Sequence, residues 1–181
     1  MHLSETDFSR LYRVQDQVLS WLAGQNTPFY LTGGTALGRF YLHHRYSEDL
    51  DLFVNADPGF RMMVEKLIRD LPPELKPDQS MMMITDDFAR VLITTDEGST
   101  LKVEWVNDVS YRPDEPLPYI YGIIDTPLNI LSNKLSAVVG RDEPKDVFDI
   151  IHIALNYSFD WAEPFAVAKK KASAMLRLFS V

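Results

Sequence analysis

Asp49-Leu50-Asp51-Leu52-Phe53-Val54 alternates acidic and apolar residues before running on as Phe-Val. Period two predicts a β-strand over 49–54, with both carboxylates on one face and Leu50 and Leu52 on the other. Upstream, Pro28-Phe29-Tyr30-Leu31-Thr32 is a short apolar run that reads as a buried strand. Gly33-Gly34 breaks it, and helical spacing returns over 35–43 through Leu37, Phe40 and Tyr41. His43-His44-Arg45-Tyr46-Ser47 is a polar connection leading into the acidic strand.

Working outward, residues 4–24 read as an amphipathic helix. Ser4 suits the N-cap with Asp7 three positions on, Leu11, Val14, Val18, Leu19 and Leu22 recur at helical spacing, and Gly24 stops the run. A helix over 58–71 opens at Pro58 and ends before Pro72-Pro73. Strands are expected at 88–95 and 100–106, joined by a hairpin loop at Asp96-Glu97-Gly98-Ser99, with a short edge strand over 81–84. The stretch 111–118 is rich in proline and charge and reads as an irregular excursion. Helices follow at 127–139, 144–156 and 162–179, the last carrying Lys169-Lys170-Lys171, read as a solvated face. There is no internal repeat or low-complexity segment. This order predicts an α+β domain with a mixed sheet over residues 1–125, and a helical segment over 126–181 packed on it.

Composition narrows the function classes. The 181 residues are 46% apolar, enough for an ordinary core. No apolar run reaches the length needed to span a bilayer. Met1 to Asp7 is polar and acidic, unlike a secretory signal, so a cytoplasmic protein is the simplest expectation. Without cysteine there is no disulfide, thiolate zinc site or cysteine nucleophile. A net charge of −8 argues against wholesale attraction to nucleic acid, while leaving room for a local basic patch.

Four features carry chemistry. Gly33-Gly34-Thr35 sits at a strand-to-helix junction, where glycines permit close backbone approach and free N–H groups and the Thr35 hydroxyl suit a phosphate. Asp49 and Asp51 lie close together and repel, and a divalent cation relieves that repulsion. Mg²⁺ favours one or two carboxylates plus phosphate oxygens. Glu104, in Leu101-Lys102-Val103-Glu104-Trp105-Val106, completes a three-carboxylate site if its strand neighbours the acidic one, and otherwise pairs with Lys102 or faces solvent. Lys134, in an otherwise apolar helix, is either a triphosphate contact or a snorkelling surface lysine. Lys145-Asp146 opens the next helix, where a charged first turn is the plain alternative. Isolated His152 and loop residues His43-His44 give no histidine–aspartate metal pair, which argues against a metal-dependent phosphohydrolase.

Together these residues resemble a known family. Leu31-Thr32-Gly33-Gly34-Thr35-Ala36-Leu37, then His44-Arg45-x-Ser47-x-Asp49-Leu50-Asp51-Leu52, Lys134-Leu135 and Lys145-Asp146-x-x-Asp149 resemble the AbiEii/AbiGii-type nucleotidyltransferases of the polymerase-β-like superfamily. The resemblance runs from about residue 28 to 156. It implies a nucleotidyltransferase-like mixed sheet flanked by helices and a toxin of a toxin–antitoxin or abortive-infection system. The implied partners are an NTP, an antitoxin protein, and an acceptor hydroxyl on an RNA 3′ end such as tRNA, or else on a protein or small molecule. By the same resemblance, Asp49, Asp51 and Glu104 would hold Mg²⁺ or Mn²⁺. Gly33, Gly34, Thr35, Arg45, Ser47 and Lys134 would bind the nucleotide, and Asp146 joins Asp49, Asp51, Glu104 and Lys134 among the catalytic residues. A catalytically degenerate binding module is the alternative from another class, and the presence of Asp49, Asp51 and Lys134 together argues against it.

Overall fold

In the computed structural model, residues 4–178 are described, apart from Lys76, Asp96, Glu97 and Asp142. The first elements are helix α1 (Glu5–Ala23), strand β1 (Tyr30–Thr32), the short helical turn α2 (Gly33–Thr35) running into a π-helix (Ala36–Tyr41), strand β2 (Asp49–Asn55) and helix α3 (Phe60–Asp70). Strands β3 (Met83–Ile84), β4 (Phe88–Thr94), β5 (Thr100–Asp108), β6 (Leu117–Tyr119) and β7 (Gly122–Ile124) follow. Helices α4 (Pro127–Gly140), α5 (Pro144–Asn156) and α6 (Ala162–Leu178) close the described chain. The strands form one mixed sheet in the order β3-β4-β5-β2-β1-β7-β6. β2 runs parallel to β5 and β1 parallel to β7; the other pairs are antiparallel.

The alternation in β2 has the expected consequence. Leu50, Leu52 and Val54 are buried, and Asp49, Asp51 and Phe53 look the other way. β5 and β4 repeat the division: Leu101, Val103, Trp105, Ala89, Val91 and Ile93 are buried on one face, leaving Lys102, Glu104 and Arg90 on the other. The apolar face joins Leu11, Val18 and Leu22 of α1 and Phe60, Val64 and Leu67 of α3 in a single core. α1 begins with the expected capping box: Ser4 accepts from the Asp7 amide, and the Asp7 carboxylate accepts from the Ser4 amide. α4 starts at Pro127 with Thr126 as N-cap, its hydroxyl accepting from the Asn129 amide.

Three expectations are corrected. The 35–43 segment is mainly π-helical, with the Leu42 amide donating to the Leu37 carbonyl. This segment packs closely on the Arg45 backbone, since a Cβ on Gly38 would lie 2.5 Å from the Arg45 carbonyl oxygen. The 111–118 excursion ends in β6, which forms a hairpin with β7 at the sheet edge, where one side of the strand has no partner and Pro118 is tolerated. Lys171 is not a solvated lysine. It is 1% exposed, and its ammonium donates to Asp108 at the end of β5. Of the expected 96–99 loop, Asp96 and Glu97 lie outside the described residues, but β4 and β5 pair through Thr94 and Thr100 on either side. Among the described residues no helix is long and apolar enough to cross a membrane.

Candidate active site

The polar face of the sheet floors an open cleft of about 710 Å³, walled by the Gly33-Gly34 turn, the Arg45–Glu48 segment, α4 and the start of α5. Sheet register aligns the floor. Asp51 lies opposite Thr32 on one side and Glu104 on the other, Asp49 lies opposite Lys102, and Glu104 opposite Arg90. The Lys102 ammonium stands 3.0 Å from an Asp49 oxygen and 3.4 Å from a Glu104 oxygen, and Arg90 Nε donates to the same Glu104 oxygen at 2.7 Å. Asp49, Asp51 and Glu104 are thus neighbours, which meets the condition set for Glu104, while Glu104 also pairs with Lys102, the alternative reading. Among the described residues, however, no three Asp, Glu or His side chains are gathered into a ready-made metal cage.

Burial pushes the Asp51 carboxyl up to about 6, helped by the charges of Glu104 and Asp49. A carboxylate so disfavoured beside a second one suits a hard divalent cation such as Mg²⁺ or Mn²⁺. The raised value also fixes a sign. The folded group binds its proton more tightly than an unfolded aspartate near 3.9, so stability falls as pH rises through about 4 to 6. Removing the charge is therefore stabilising above that window. Asp51→Asn is expected to raise the metal-free stability at pH 8 by about 1–2 kcal/mol, allowing for the cleft exposure of this side chain, and to make no difference near pH 4. Thermal melts at the two pH values check this.

Gly33 has φ +69°, and a Cβ there would lie 2.3 Å from an Asp51 carboxylate oxygen. A Cβ on Gly34 would lie 2.5 Å from Arg45 Nη2 and 2.9 Å from the Ser47 hydroxyl. The two glycines thus let this turn sit directly on the acidic strand and on the Arg45–Ser47 segment. Gly33→Ala is expected to destabilise by roughly 1–3 kcal/mol through left-handed strain and the Asp51 clash, and to cost activity as Asp51 moves. A melt and a transfer assay read both effects. Thr35 corrects an expectation. It is fully buried and its hydroxyl donates to the Asp49 carbonyl, so that hydroxyl pins the start of β2 and is not free to donate to a phosphate.

The far wall is a cluster of ion pairs. Lys134 Nζ lies 2.8 Å from Asp146 and 2.6 Å from Asp149. Arg45 grips Asp149 with two donors, each at 2.6 Å, and His44 Nε2 lies 2.7 Å from the same carboxylate. Arg141 closes on Asp146 at 2.8 Å. Burial alone would push the Asp149 carboxyl up, but the hydrogen bonds and charges of Arg45 and Lys134 outweigh it and hold it at about 2. Burial lowers the His44 pKa, which favours the neutral ring with Nε2 toward Asp149, and Nδ1 is buried with no partner among the described residues. Lys134 is 7% exposed and held from two sides, so the snorkelling alternative fails. Asp146 is fully buried against Lys134 and Arg141, and its influence on the cleft runs through them.

Sequence reasoning missed the roles of Arg90 and His44 and the buried Asp125. The Asp125 carboxylate accepts from Thr32 at 2.6 Å and from Asn129 at 2.7 Å, tying the end of β1 to α4. Only the alternation of Arg90 and Lys102 with apolar neighbours hinted at any of these.

The sequence family described as "Nucleotidyl transferase AbiEii toxin, Type IV TA system" matches residues 18–175, a span containing all of these groups. The chain belongs to the AbiEii nucleotidyltransferase toxin family. No curated protein matches it in sequence. Among solved structures, JHP933 from Helicobacter pylori is 25% identical, with a TM-score of 0.64 over 86% of this chain and 69% of that one. The nucleotidyltransferase toxin MenT4 from Mycobacterium tuberculosis is 20% identical, with a TM-score of 0.70 over 92% of this chain and 64% of its own. An antigenic nucleotidyltransferase-like protein from Paracoccidioides brasiliensis is 16% identical, with a TM-score of 0.59 over 97% and 90%. Membership of the AbiEii family makes this chain a nucleotidyltransferase, and the fold it shares with these structures is the mixed α/β sheet expected from sequence.

Proposed function

We propose that the chain transfers a nucleoside monophosphate from an NTP to an acceptor hydroxyl, with an RNA 3′ end such as tRNA as the acceptor, in a divalent-metal-dependent reaction. The observation that carries this reading is Asp51 packed under the Gly33-Gly34 turn with Asp49 beside it, facing a wall of Arg45, Lys134 and Arg141 across one cleft. Mg²⁺ or Mn²⁺ held by Asp49 and Asp51, with Glu104 beside them, would supply charge neutralisation at the α-phosphate and the leaving pyrophosphate.

The chain's own residues do the rest. The backbone at Gly33 and Gly34, the Ser47 hydroxyl and the cationic groups of Arg45 and Lys134 hold the triphosphate in line. The acceptor oxygen forms a bond to the α-phosphorus as the bond to the bridging oxygen breaks, and its proton passes to Glu104 or Asp51. Asp146 and Asp149 are positioning residues that fix Lys134 and Arg45. This reading puts the protein in the cytoplasm, where NTPs are available, with an antitoxin that counters it.

One observation favours a protein or small-molecule acceptor as the second reading. Lys171 is locked inside, so the basic run offers only Lys169 and Lys170 to a polyanion, on a chain of net charge −8. The deciding experiment incubates the protein with each α-labelled NTP and Mg²⁺, with total RNA, with a small-molecule panel, or alone, beside Asp49→Ala. Label transferred to RNA and lost in the variant supports the first reading, and label on protein or small molecule supports the second. NTP binding without turnover would indicate a degenerate module.

A further inference from the structure

The cleft floor contains a cation of its own. Lys102 leaves β5 on the same face as Glu104, opposite Asp49 in the parallel register, and its ammonium bridges the two carboxylates at 3.0 and 3.4 Å. Lys102 is itself only partly exposed, and Glu104 is also held by Arg90 on the far side. Two of the three carboxylates assigned above to a divalent ion are therefore already neutralised by a side chain.

We propose that Lys102 is a built-in competitor of the metal: its ammonium occupies the gap between Asp49 and Glu104 and is expelled when a divalent ion loads, so that this one residue sets the site's metal affinity. The physical argument is charge. Without a positive group, the carboxylates of neighbouring strands repel one another, and the sheet register forces them together whether or not metal is present. Lys102 relieves that repulsion in the metal-free protein. An ammonium and a divalent ion cannot share the gap, since at separations of a few ångströms their repulsion outweighs what either gains there. The lysine stem is flexible and opens onto the cleft, so expulsion needs no backbone movement. The inference rests on the reading of Asp49 and Asp51 as metal ligands.

The test is Mn²⁺ binding in the absence of nucleotide, followed by electron paramagnetic resonance of free Mn²⁺. The proteins are wild type, Lys102→Met, Lys102→Gln, Lys102→Arg and Asp49→Ala. The uncharged variants are expected to bind Mn²⁺ about tenfold more tightly than wild type, with Lys102→Arg near wild type and Asp49→Ala far weaker. Melting supplies a second readout: metal-free Lys102→Met melts below wild type, and saturating Mn²⁺ raises it by more. If Lys102→Met does not fold, Lys102→Gln carries the comparison. Equal or weaker Mn²⁺ binding by the uncharged variants, with Asp49-dependent binding in wild type, overturns the proposal and leaves the metal reading standing. Absence of Asp49-dependent binding in every protein overturns both.

Discussion

Under the proposed function, Asp49→Ala is expected to lower nucleotide transfer on the order of 10³-fold or more, while the fold survives. The large effect follows from what the side chain faces. Asp49 stands at the mouth of β2, beside Asp51 and across from Lys102. Removing it takes away half of the aspartate pair and leaves Lys102 free to settle on Glu104, 3.4 Å away. Transition-state charge on the transferring phosphoryl group then goes uncompensated, and phosphoryl transfer depends almost wholly on positioning and charge. Asp49→Glu does not rescue, because a longer arm moves the carboxylate by more than such geometry tolerates.

The small effect on folding is equally specific. The Asp49 side chain is 28% exposed and pairs, among the described residues, with Lys102, so its loss costs about 0–1 kcal/mol. The hydrogen bond that anchors β2 to Thr35 uses the Asp49 carbonyl, which alanine keeps. A transfer assay with α-labelled NTP beside a thermal melt reads the two together. A large loss of activity with an unchanged melt is the expected pairing, whereas a variant that retains a tenth of wild-type transfer overturns the role given to Asp49.

The sequence made the acidic strand legible because its information is local. Asp49 and Asp51 must share a face whatever lies around them, and Leu50 and Leu52 decide which face is core. The same holds for the α1 capping box and for Pro127, whose effects are complete within one turn. The motif spacing also carried over well, since Arg45, Lys134, Asp146 and Asp149 do meet on one wall. What remained hidden was set by contacts between distant segments. The π-helix of Ala36–Tyr41 packs Gly38 against the Arg45 carbonyl, and nothing within the segment announces that contact. β7 is a strand because β1 offers it a parallel edge, through the pairing of Leu31 with Ile124. Its partner β6 contains a proline that argues against a strand until its edge position is known.

Polar side chains were the hardest to read, for the same reason. Thr35 looked like a phosphate donor because it follows two glycines, but its hydroxyl found the Asp49 carbonyl first. Lys171 looked solvated because two other lysines precede it, yet the helix turns it inward onto Asp108. For each of these groups, the partner that determined its role sits on another element. Residue type and spacing name the groups present in a site, and only the packing says which of them are already spent.

Asp149→Asn is expected to destabilise the protein by about 3–5 kcal/mol. The carboxylate is fully buried, grips the Arg45 fork with both oxygens, and takes Lys134 and His44 as well. Asparagine keeps the shape and removes the charge. Lys134 is then left with Asp146 alone, which already serves Arg141, and Arg45 faces an amide that can accept on one side only. In a chain of this size the melt falls by on the order of 10 °C. The pH dependence runs opposite to that of Asp51. Here the folded pKa of about 2 lies below the unfolded value, so the contribution is complete above about pH 4 and is lost as pH falls from there toward 2. The gap between wild type and Asp149→Asn should therefore be widest at neutral pH and narrow in acid. Two aspartates, one on the cleft floor and one buried behind its wall, thus give melts of opposite slope: Asp51, whose charge the metal-free fold resists, and Asp149, whose charge the fold depends on. If Asp149→Asn melts within 2 °C of wild type at pH 7, the ion-pair wall is not what holds Lys134 and Arg45 toward the nucleotide.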